Sequence, residues 1–386
     1  MIAPGEWLGL LGGGQLGRMF CMAAQQLGYK IVVIDPADDS PAGHVADAHL
    51  RADYLDPHAL AKLARQCKAA TTEFENVPAP ALEVLARDVR VAPAASSVAI
   101  AQDRISEKTF LSGHGFGVAP FAVIRSVDDA RSVADDLLPG ILKSARFGYD
   151  GKGQIRVRTA HDVADAFVAM RATPCVLEKF VSLSCEVSVI VARNERGEAT
   201  SWPVAENHHR DGILDVTIAP ARVAAGLAQR ARELASAIAD ALDYRGVLCV
   251  EMFVDASGDL LVNEIAPRPH NSGHYSIDAC VTSQFEQQAR VLADLPLGDT
   301  FQHTPAVMVN LLGDIWFDEQ DVSPREPDWR AVLGHPRAKL HLYGKSAPRR
   351  KRKMGHVTCL GASLDEAFST ARAIRKSLSI PDLHFG

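Results

Sequence analysis

The chain has 386 residues, 47% hydrophobic and 23% charged, which suits two or three soluble globular domains and excludes disordered and collagen-like classes. Lys and Arg number 41 against 47 Asp and Glu, a formal net charge of −6, so a general nucleic-acid binder is not expected and any anion site must be a local cluster. No apolar run approaches the ~18 residues of a membrane helix, and the apolar Met1–Gly14 stretch has no basic leader, so neither a membrane span nor a signal peptide is expected.

In chain order, the first elements alternate. Trp7–Leu11 reads as a buried strand, Gln15–Gly28 as a helix and Ile31–Ile34 as an aliphatic strand ending at Asp35; a Pro57–Lys68 helix then precedes an Ala69–Phe74 strand. This is the pattern of βαβ units and a parallel sheet. From about Gln102 a polar helix opens a second region. Its strands (Phe121–Ile124, Gly140–Ser144, Gln154–Val157, Val176–Phe180, Glu186–Ala192) have an antiparallel flavour, with helices at Val127–Leu137 and Asp162–Met170. An Ala-rich helix, Ala221–Leu242, precedes a hairpin of Gly246–Val254 and Leu260–Ala266. After Leu295-Pro-Leu-Gly298 a smaller module carries strands Ala306–Leu312 and Ala338–Tyr343 and a final helix, Leu364–Ser377. The fold class expected is α/β plus α+β, with domains at 1–101, 102–297 (a flap subdomain at about 118–182) and 298–386. The seven cysteines are scattered without a C-x-x-C pair, which suits buried thiols in a reducing cytosol and argues against a disulfide framework or a zinc site.

Several clusters carry chemistry. Gly12-Gly13-Gly14-Gln15-Leu16-Gly17 fits G-x-G-x-x-G between a strand and a helix, where backbone N–H groups can hold a phosphate. A dinucleotide, with Asp35 on its ribose, and a plain tight turn are the alternatives. A second glycine cluster, Gly148-Tyr149-Asp150-Gly151-Lys152-Gly153-Gln154, links strand to strand after Lys143 and lacks the P-loop pattern. Such a flap can fold over polyphosphate, against the simpler reading of a hairpin turn. In the 246–266 hairpin, if Val254 faces Leu261, then Glu251 faces Glu264. Opposed like charges among aliphatic residues are destabilising, and a divalent cation with oxygen ligands, Mg²⁺, resolves the conflict; solvated surface glutamates are the bland alternative. Arg268 and His274 in the following Pro-rich segment, with Asn271 between them, form a niche for an oxyanion. The basic run Arg349–Lys353, with Lys345 nearby, suits a phosphomonoester clamp better than a nucleic-acid patch, and a solvated loop is the alternative.

Lys143, the Gly148–Gln154 loop, Glu178-Lys179-Phe180-Val181, Glu186, Glu251 and Asn263-Glu264 follow the ATP-grasp pattern in order. Together with Gly12–Met19, Glu73–Asn76 and Arg352-Lys-Met-Gly-His356, the chain resembles, over almost its whole length, the 5-(carboxyamino)imidazole ribonucleotide synthetases of bacterial purine synthesis. The resemblance implies a pre-ATP-grasp α/β domain, an ATP-grasp domain and a small β-rich C-terminal domain. It implies a cytoplasmic homodimer and ATP-dependent carboxylation of 5-aminoimidazole ribonucleotide by bicarbonate through carboxyphosphate. Nucleic acid and membrane have no part in it. ATP contacts would fall on Arg104, Lys143, Gly148–Gln154, Glu178–Val181, Glu186, His209 and Asn263-Glu264. Glu251 and Glu264 would hold Mg²⁺, with Mn²⁺ as its substitute. Many ATP-grasp enzymes have a metal-binding Asn where Ala266 stands, so two protein carboxylates are expected. Gly14, Gln15, Leu16, Glu75, Lys345, Arg352 and Lys353 are expected at the ribonucleotide. Asp150, Arg268, Asn271 and His274 are expected at the chemistry, Asp150 orienting or deprotonating the amine. The nearest rivals are the formate-dependent glycinamide ribonucleotide transformylase and the biotin carboxylase subunit. A dinucleotide oxidoreductase and a non-catalytic binding protein complete the set.

Overall fold

The computed structural model describes residues 1–148, 153–318 and 323–382. The N-terminal strands, β1 (Trp7–Leu11), β2 (Lys30–Ile34), β3 (Ala48–Leu50), β4 (Ala69–Thr72) and β5 (Arg90–Val91), form a parallel sheet in the order β3-β2-β1-β4-β5. Both faces of the sheet are covered, which is why its strands are almost wholly apolar. Helix Gln15–Gln26 lies on one face and packs against helix Gln284–Leu292, whose Phe285, Ala289 and Leu292 belong to the same core. That shared core fixes the Gly12–Leu16 turn beside the segment that follows the 246–266 hairpin.

A separate four-stranded antiparallel sheet holds β6 (Phe121–Ile124), β7 (Gly140–Ser144), β8 (Gln154–Val157) and β9 (Cys175–Lys179), in the order β6-β9-β7-β8. The expected Val127–Leu137 helix is broken. It ends at Arg131, where the Ser132 hydroxyl donates back to the Asp128 carbonyl at 2.8 Å, and a 3-10 turn covers Asp135–Leu137.

The central sheet holds β10 (Leu183–Arg193), β11 (Ala199–Ser201), β12 (Ala205–Arg210), β13 (Ile213–Ala219), β14 (Gly246–Asp255), β15 (Leu260–Ala266), β16 (Ala306–Leu312), β17 (Ala338–Leu342) and β18 (Lys353–Leu360). Its order is β15-β14-β10-β12-β13-β16-β18-β17, with β11 beside β10. The C-terminal strands therefore extend the sheet of the preceding region through β13–β16 pairing. The Ala-rich helix begins at Ala225, four residues later than its composition suggests: Ala224 is non-helical at ψ 142°, and the Ala221 N–H is bonded to Val204 O.

The 246–266 hairpin departs from the expected register at its tip. Val254 pairs with Leu260, not Leu261, so simple alternation would set Glu251 opposite Asn263. A β-bulge after Glu251 absorbs one residue and restores Glu251 opposite Glu264. The expected pairing of the two acids is present, but through a bulge that the turn sequence does not announce.

Candidate active site

One cleft of about 550 Å³ opens where the three sheets meet. Its walls include Gly14, Gln15 and Leu16 from the first turn, Glu73 and Glu75 after β4, Arg104 and Glu107 from helix Arg104–Gly113, and Phe147 and Gly148 from the flap edge. His209, Glu251, Glu264, Arg268, His270, Asn271, Lys345 and Lys353 complete them. The two acids of the hairpin thus share one crevice with the flap edge and with two lysines of the C-terminal module.

The first glycine turn does not offer the expected anion site. Gly13 N–H donates to Asp35 Oδ2 at 2.7 Å, and Gly14 and Gly17 N–H donate to the Glu73 carboxylate at 2.8 and 3.0 Å. Two protein carboxylates therefore take three of the turn's N–H donors, those of Gly13, Gly14 and Gly17, from any phosphate. Asp35 also accepts from the Tyr54 hydroxyl at 2.8 Å, so it is not a free ribose ligand. The turn is as tight as it is because a Cβ at Gly14 would stand 2.4 Å from Glu73 Oε1.

At the flap base lies a network that the sequence reading only half identified. Lys143 Nζ donates to Glu178 Oε2 at 2.9 Å, and Lys108 Nζ lies 3.5 Å from the same oxygen. Lys108 is fully buried and also donates to the carbonyls of Val262 and Asn263, at 3.3 and 2.8 Å. Burial acts to raise the Glu178 carboxyl, but Lys143, Lys108 and Arg104 hold it below the usual range. One Glu178 oxygen and Asn263 Oδ1 remain buried without a partner among the described residues. Lys179 N–H is committed to Pro120 O at 2.9 Å, and Phe180 is largely exposed. Val181 follows at the end of β9, half-buried, and Gln154 opens β8 opposite Lys143. Gly153 has φ +70°, and a Cβ there would meet Ser144 Oγ at 2.5 Å. Tyr149, Asp150, Gly151 and Lys152 lie outside the described residues, the expected catalytic role of Asp150 with them.

Each carboxylate of the facing pair has a nitrogen partner. Glu251 meets His270 Nε2 at 2.8 Å, and Glu264 lies 3.5 Å from Arg104. Burial would raise Glu251, yet His270, His209 and Lys353 hold it down to about 2. The like-charge conflict is thus eased from within the protein, and a cation is not the only way to relieve it. Ala266, where a third ligand was not expected, is a buried alanine. Glu186 pairs with His209 Nδ1 at 2.8 Å, which raises His209 against the effect of its burial. Glu107, unnoticed in the sequence, accepts from Ile265 N–H at 2.6 Å. Burial pushes its carboxyl up to about 7 despite Arg104.

The oxyanion niche needs correction. Arg268 is there, paired with Glu75 and donating to Pro269 O at 3.0 Å. His274 is not: it is fully buried against His356, Tyr343 and Phe285, and burial holds it well below its usual value, hence neutral. His270 stands in the cleft instead, and Asn271 beside it is buried with both side-chain polar atoms unpartnered among the described residues. The basic clamp is also smaller than expected. Lys345, donating to Gln15 Oε1 at 2.5 Å, and Lys353 line the cleft, whereas Arg352 does not and donates to Ala347 O at 2.7 Å. The Lys351 ammonium lies 3.9 Å from Asp211, and Arg350 donates to the Asp318 main-chain carbonyl at 3.4 Å.

Lys108 and Glu107 had one signal in the sequence. With Arg104 they recur at i, i+3 and i+4, a charged stripe on one face of a helix. A solvated face gives the same pattern; only packing against β15 turns it inward.

Three segments match known families: residues 6–102 the ribonucleotide synthetase preATP-grasp domain, 109–285 the ATP-grasp domain, and 306–370 the C-terminal domain of phosphoribosylaminoimidazole carboxylase. N5-carboxyaminoimidazole ribonucleotide synthase of Bacillus subtilis is 43% identical over 367 residues, covering 95% of this chain and 94% of its own. A crystal structure of an N5-carboxyaminoimidazole ribonucleotide synthetase in complex with ADP superposes with a TM-score of 0.89 at 41% identity, covering 98% of each chain. The Aspergillus clavatus enzyme, in complex with ADP and 5-aminoimidazole ribonucleotide, superposes with a TM-score of 0.88 at 32% identity, covering 97% of this chain and 98% of its own.

Proposed function

This chain belongs to the N5-carboxyaminoimidazole ribonucleotide synthase family of ATP-grasp ligases, and from that premise we infer that its cleft couples cleavage of ATP to ADP with carboxylation of 5-aminoimidazole ribonucleotide by bicarbonate in purine biosynthesis. The observation that carries the reading is the single crevice bounded by the flap edge, the Glu251/Glu264 pair and the Lys345/Lys353 corner. It brings a polyphosphate region, a hard-cation region and a second anion region within one substrate's reach.

Glu251 and Glu264 fit a hard divalent cation. They are opposed across β14–β15, both open to the cleft, and the buried Asn263 Oδ1 beside them has no partner among the described residues. Mg²⁺ held there, or Mn²⁺ in its place, supplies positive charge to the triphosphate. Arg104 and Lys143 approach the phosphates from the flap base, Glu178–Val181 frame the adenine and Glu186 the ribose, with His209 holding Glu186 in place. Bicarbonate is a poor electrophile, and phosphoryl transfer to it depends chiefly on positioning and charge. Arg268, restrained by Glu75, and His270 face the oxyanion. Transfer of the γ-phosphoryl gives ADP and carboxyphosphate, whose carboxyl carbon is captured by the exocyclic amine of the ribonucleotide as the bond from that carbon to the phosphorus-bearing oxygen breaks and inorganic phosphate leaves. Closure of the 148–154 flap keeps water from that step, and Asp150 takes or orients the amine proton. Lys345 and Lys353 receive the ribonucleotide 5′-phosphate, with Gln15 holding Lys345 in position. The setting is a cytoplasmic homodimer.

ADP release with each acceptor supplied separately tests the assignment. Release that needs both 5-aminoimidazole ribonucleotide and bicarbonate supports it. Release driven by formate with glycinamide ribonucleotide, or by biotin, overturns it.

A further inference from the structure

Cys249 and Glu251 are two residues apart on β14, so strand alternation turns both side chains to one face. His270, from the segment after β15, lies over that face. The Cys249 sulfur, a Glu251 carboxylate oxygen and a His270 ring nitrogen all lie within 4.8 Å of one another. No sequence spacing announces this set, because the histidine arrives from another segment.

We propose that Cys249, Glu251 and His270 form a binding site for a borderline-soft divalent cation, Zn²⁺ or Co²⁺, with an oxygen from the cleft as fourth ligand. A tetrahedral ion with bonds of ~2.0–2.3 Å sets its ligands ~3.3–3.7 Å apart. The longest separation in the triad, no more than 4.8 Å, needs to close by at most about 1.5 Å to reach that spacing. Glu251 and His270, in direct contact at 2.8 Å, part by about half an ångström to admit the ion. The histidine ring is held at its second nitrogen, which accepts from the Ser272 N–H at 3.3 Å. Nδ1 lies 2.9 Å from Ser272 Oγ, and the buried Gln284 side chain clamps the His270 backbone, accepting from its N–H at 2.8 Å and donating to its carbonyl at 2.7 Å. Nε2 is thereby fixed toward Glu251. Asn271 adds a further sign of a missing ligand: it is 5% exposed and lines the cleft with both polar atoms unpartnered among the described residues.

The donor set selects the class of ion. A thiolate and an imidazole favour Zn²⁺ or Co²⁺ and offer little to Mg²⁺. As the sulfur–metal bond forms, the Cys249 thiol proton passes to solvent. The proton between His270 Nε2 and Glu251 passes to Nδ1, where Ser272 Oγ at 2.9 Å accepts it, and so frees the Nε2 lone pair of a neutral imidazole. Such an ion takes Glu251 and His270 out of the reaction. It therefore inhibits turnover in competition with Mg²⁺, a consequence that rests on the assignment of Glu251 above, whereas the binding itself does not.

The experiment is a Co²⁺ titration of the full-length, metal-free protein without nucleotide, followed by absorbance. A thiolate-to-cobalt charge-transfer band that saturates at one Co²⁺ per chain is expected. It disappears in C249S, whose ATP turnover is retained, and persists in C185S, the variant of the partly exposed thiol. Zn²⁺ inhibits C249S only at concentrations at least about tenfold higher than wild type, the loss of one ligand. Should C249S not fold, H270A loses the visible tetrahedral spectrum in its place. A wild-type protein with no charge-transfer band, or a band that survives C249S, overturns the site. A band accompanied by Zn²⁺ inhibition indifferent to Mg²⁺ keeps the site and overturns the competition with the Mg²⁺ position.

Discussion

Lys108→Met is the most informative single change outside the cleft. The ammonium is fully buried between flap strand β9 and hairpin strand β15, 3.5 Å from Glu178 and hydrogen-bonded to two β15 carbonyls. Methionine keeps the length of the stem and its packing but removes the charge and both donors. Each carbonyl left unsatisfied costs ~1–3 kcal/mol, and removing one of the three cations that support the buried Glu178 carboxylate adds a fraction of the ~3–5 kcal/mol of a fully broken pair. Glu178 keeps Lys143 at 2.9 Å, so the sum stays near the lower end, about 3 kcal/mol. Urea unfolding should show this as a lower midpoint at unchanged slope. KM for ATP should rise more than kcat falls, because the tie between flap base and metal-bearing strand is loosened. The double variant K108M/E178Q should be destabilised less than the two single changes added together, by at least about 1 kcal/mol. Full additivity, or a K108M protein with wild-type midpoint and KM, refutes the idea that Lys108 acts through Glu178.

Glu264→Gln should lower ADP release ~10²–10³-fold, the scale of losing one electrostatic anchor of the transition state, while the unfolding midpoint stays within ~0.5 kcal/mol because a like-charge face is relieved. Lys345→Ala should raise KM for the ribonucleotide at least about tenfold, the loss of one charged hydrogen bond, whereas Arg352→Ala leaves it near wild type; equal effects in initial-rate assays would restore Arg352 to the clamp. Burial pushes the Glu206 carboxyl up, but His208 and Arg222 hold it down to about 2. Its folded value lies below its ordinary 4.5, so this stabilisation is complete above that pH and is lost as pH falls toward 2. The contribution is of order 2–3 kcal/mol, and Arg222→Met should move the acid-unfolding midpoint, followed by circular dichroism, to higher pH.

The sequence by itself determined the element types of most of the chain, because strand and helix periodicities are local properties of burial. It also marked Glu251, Glu264, Lys143 and the two glycine turns, whose residue types are costly or conformationally special wherever they occur. Hidden from it were β12, a polar run, and β18, which follows directly on a basic run; both are held as strands by the hydrogen bonds of their neighbours. The Glu251–Glu264 pairing was reached through a register that the hairpin does not have, and a bulge near Asn263, set by packing, delivered it. His274 and His270 are the same residue type four positions apart, and only the turn at Asn271–Gly273 decides which faces the cleft and which is sealed in the core. Likewise the Gly12–Gly17 turn fits an anion site by pattern, yet Asp35 and Glu73, distant in sequence, already occupy the Gly13, Gly14 and Gly17 donors. Residue type and period are written along the chain; which polar groups meet depends on how separate segments pack, and that the tertiary structure decides.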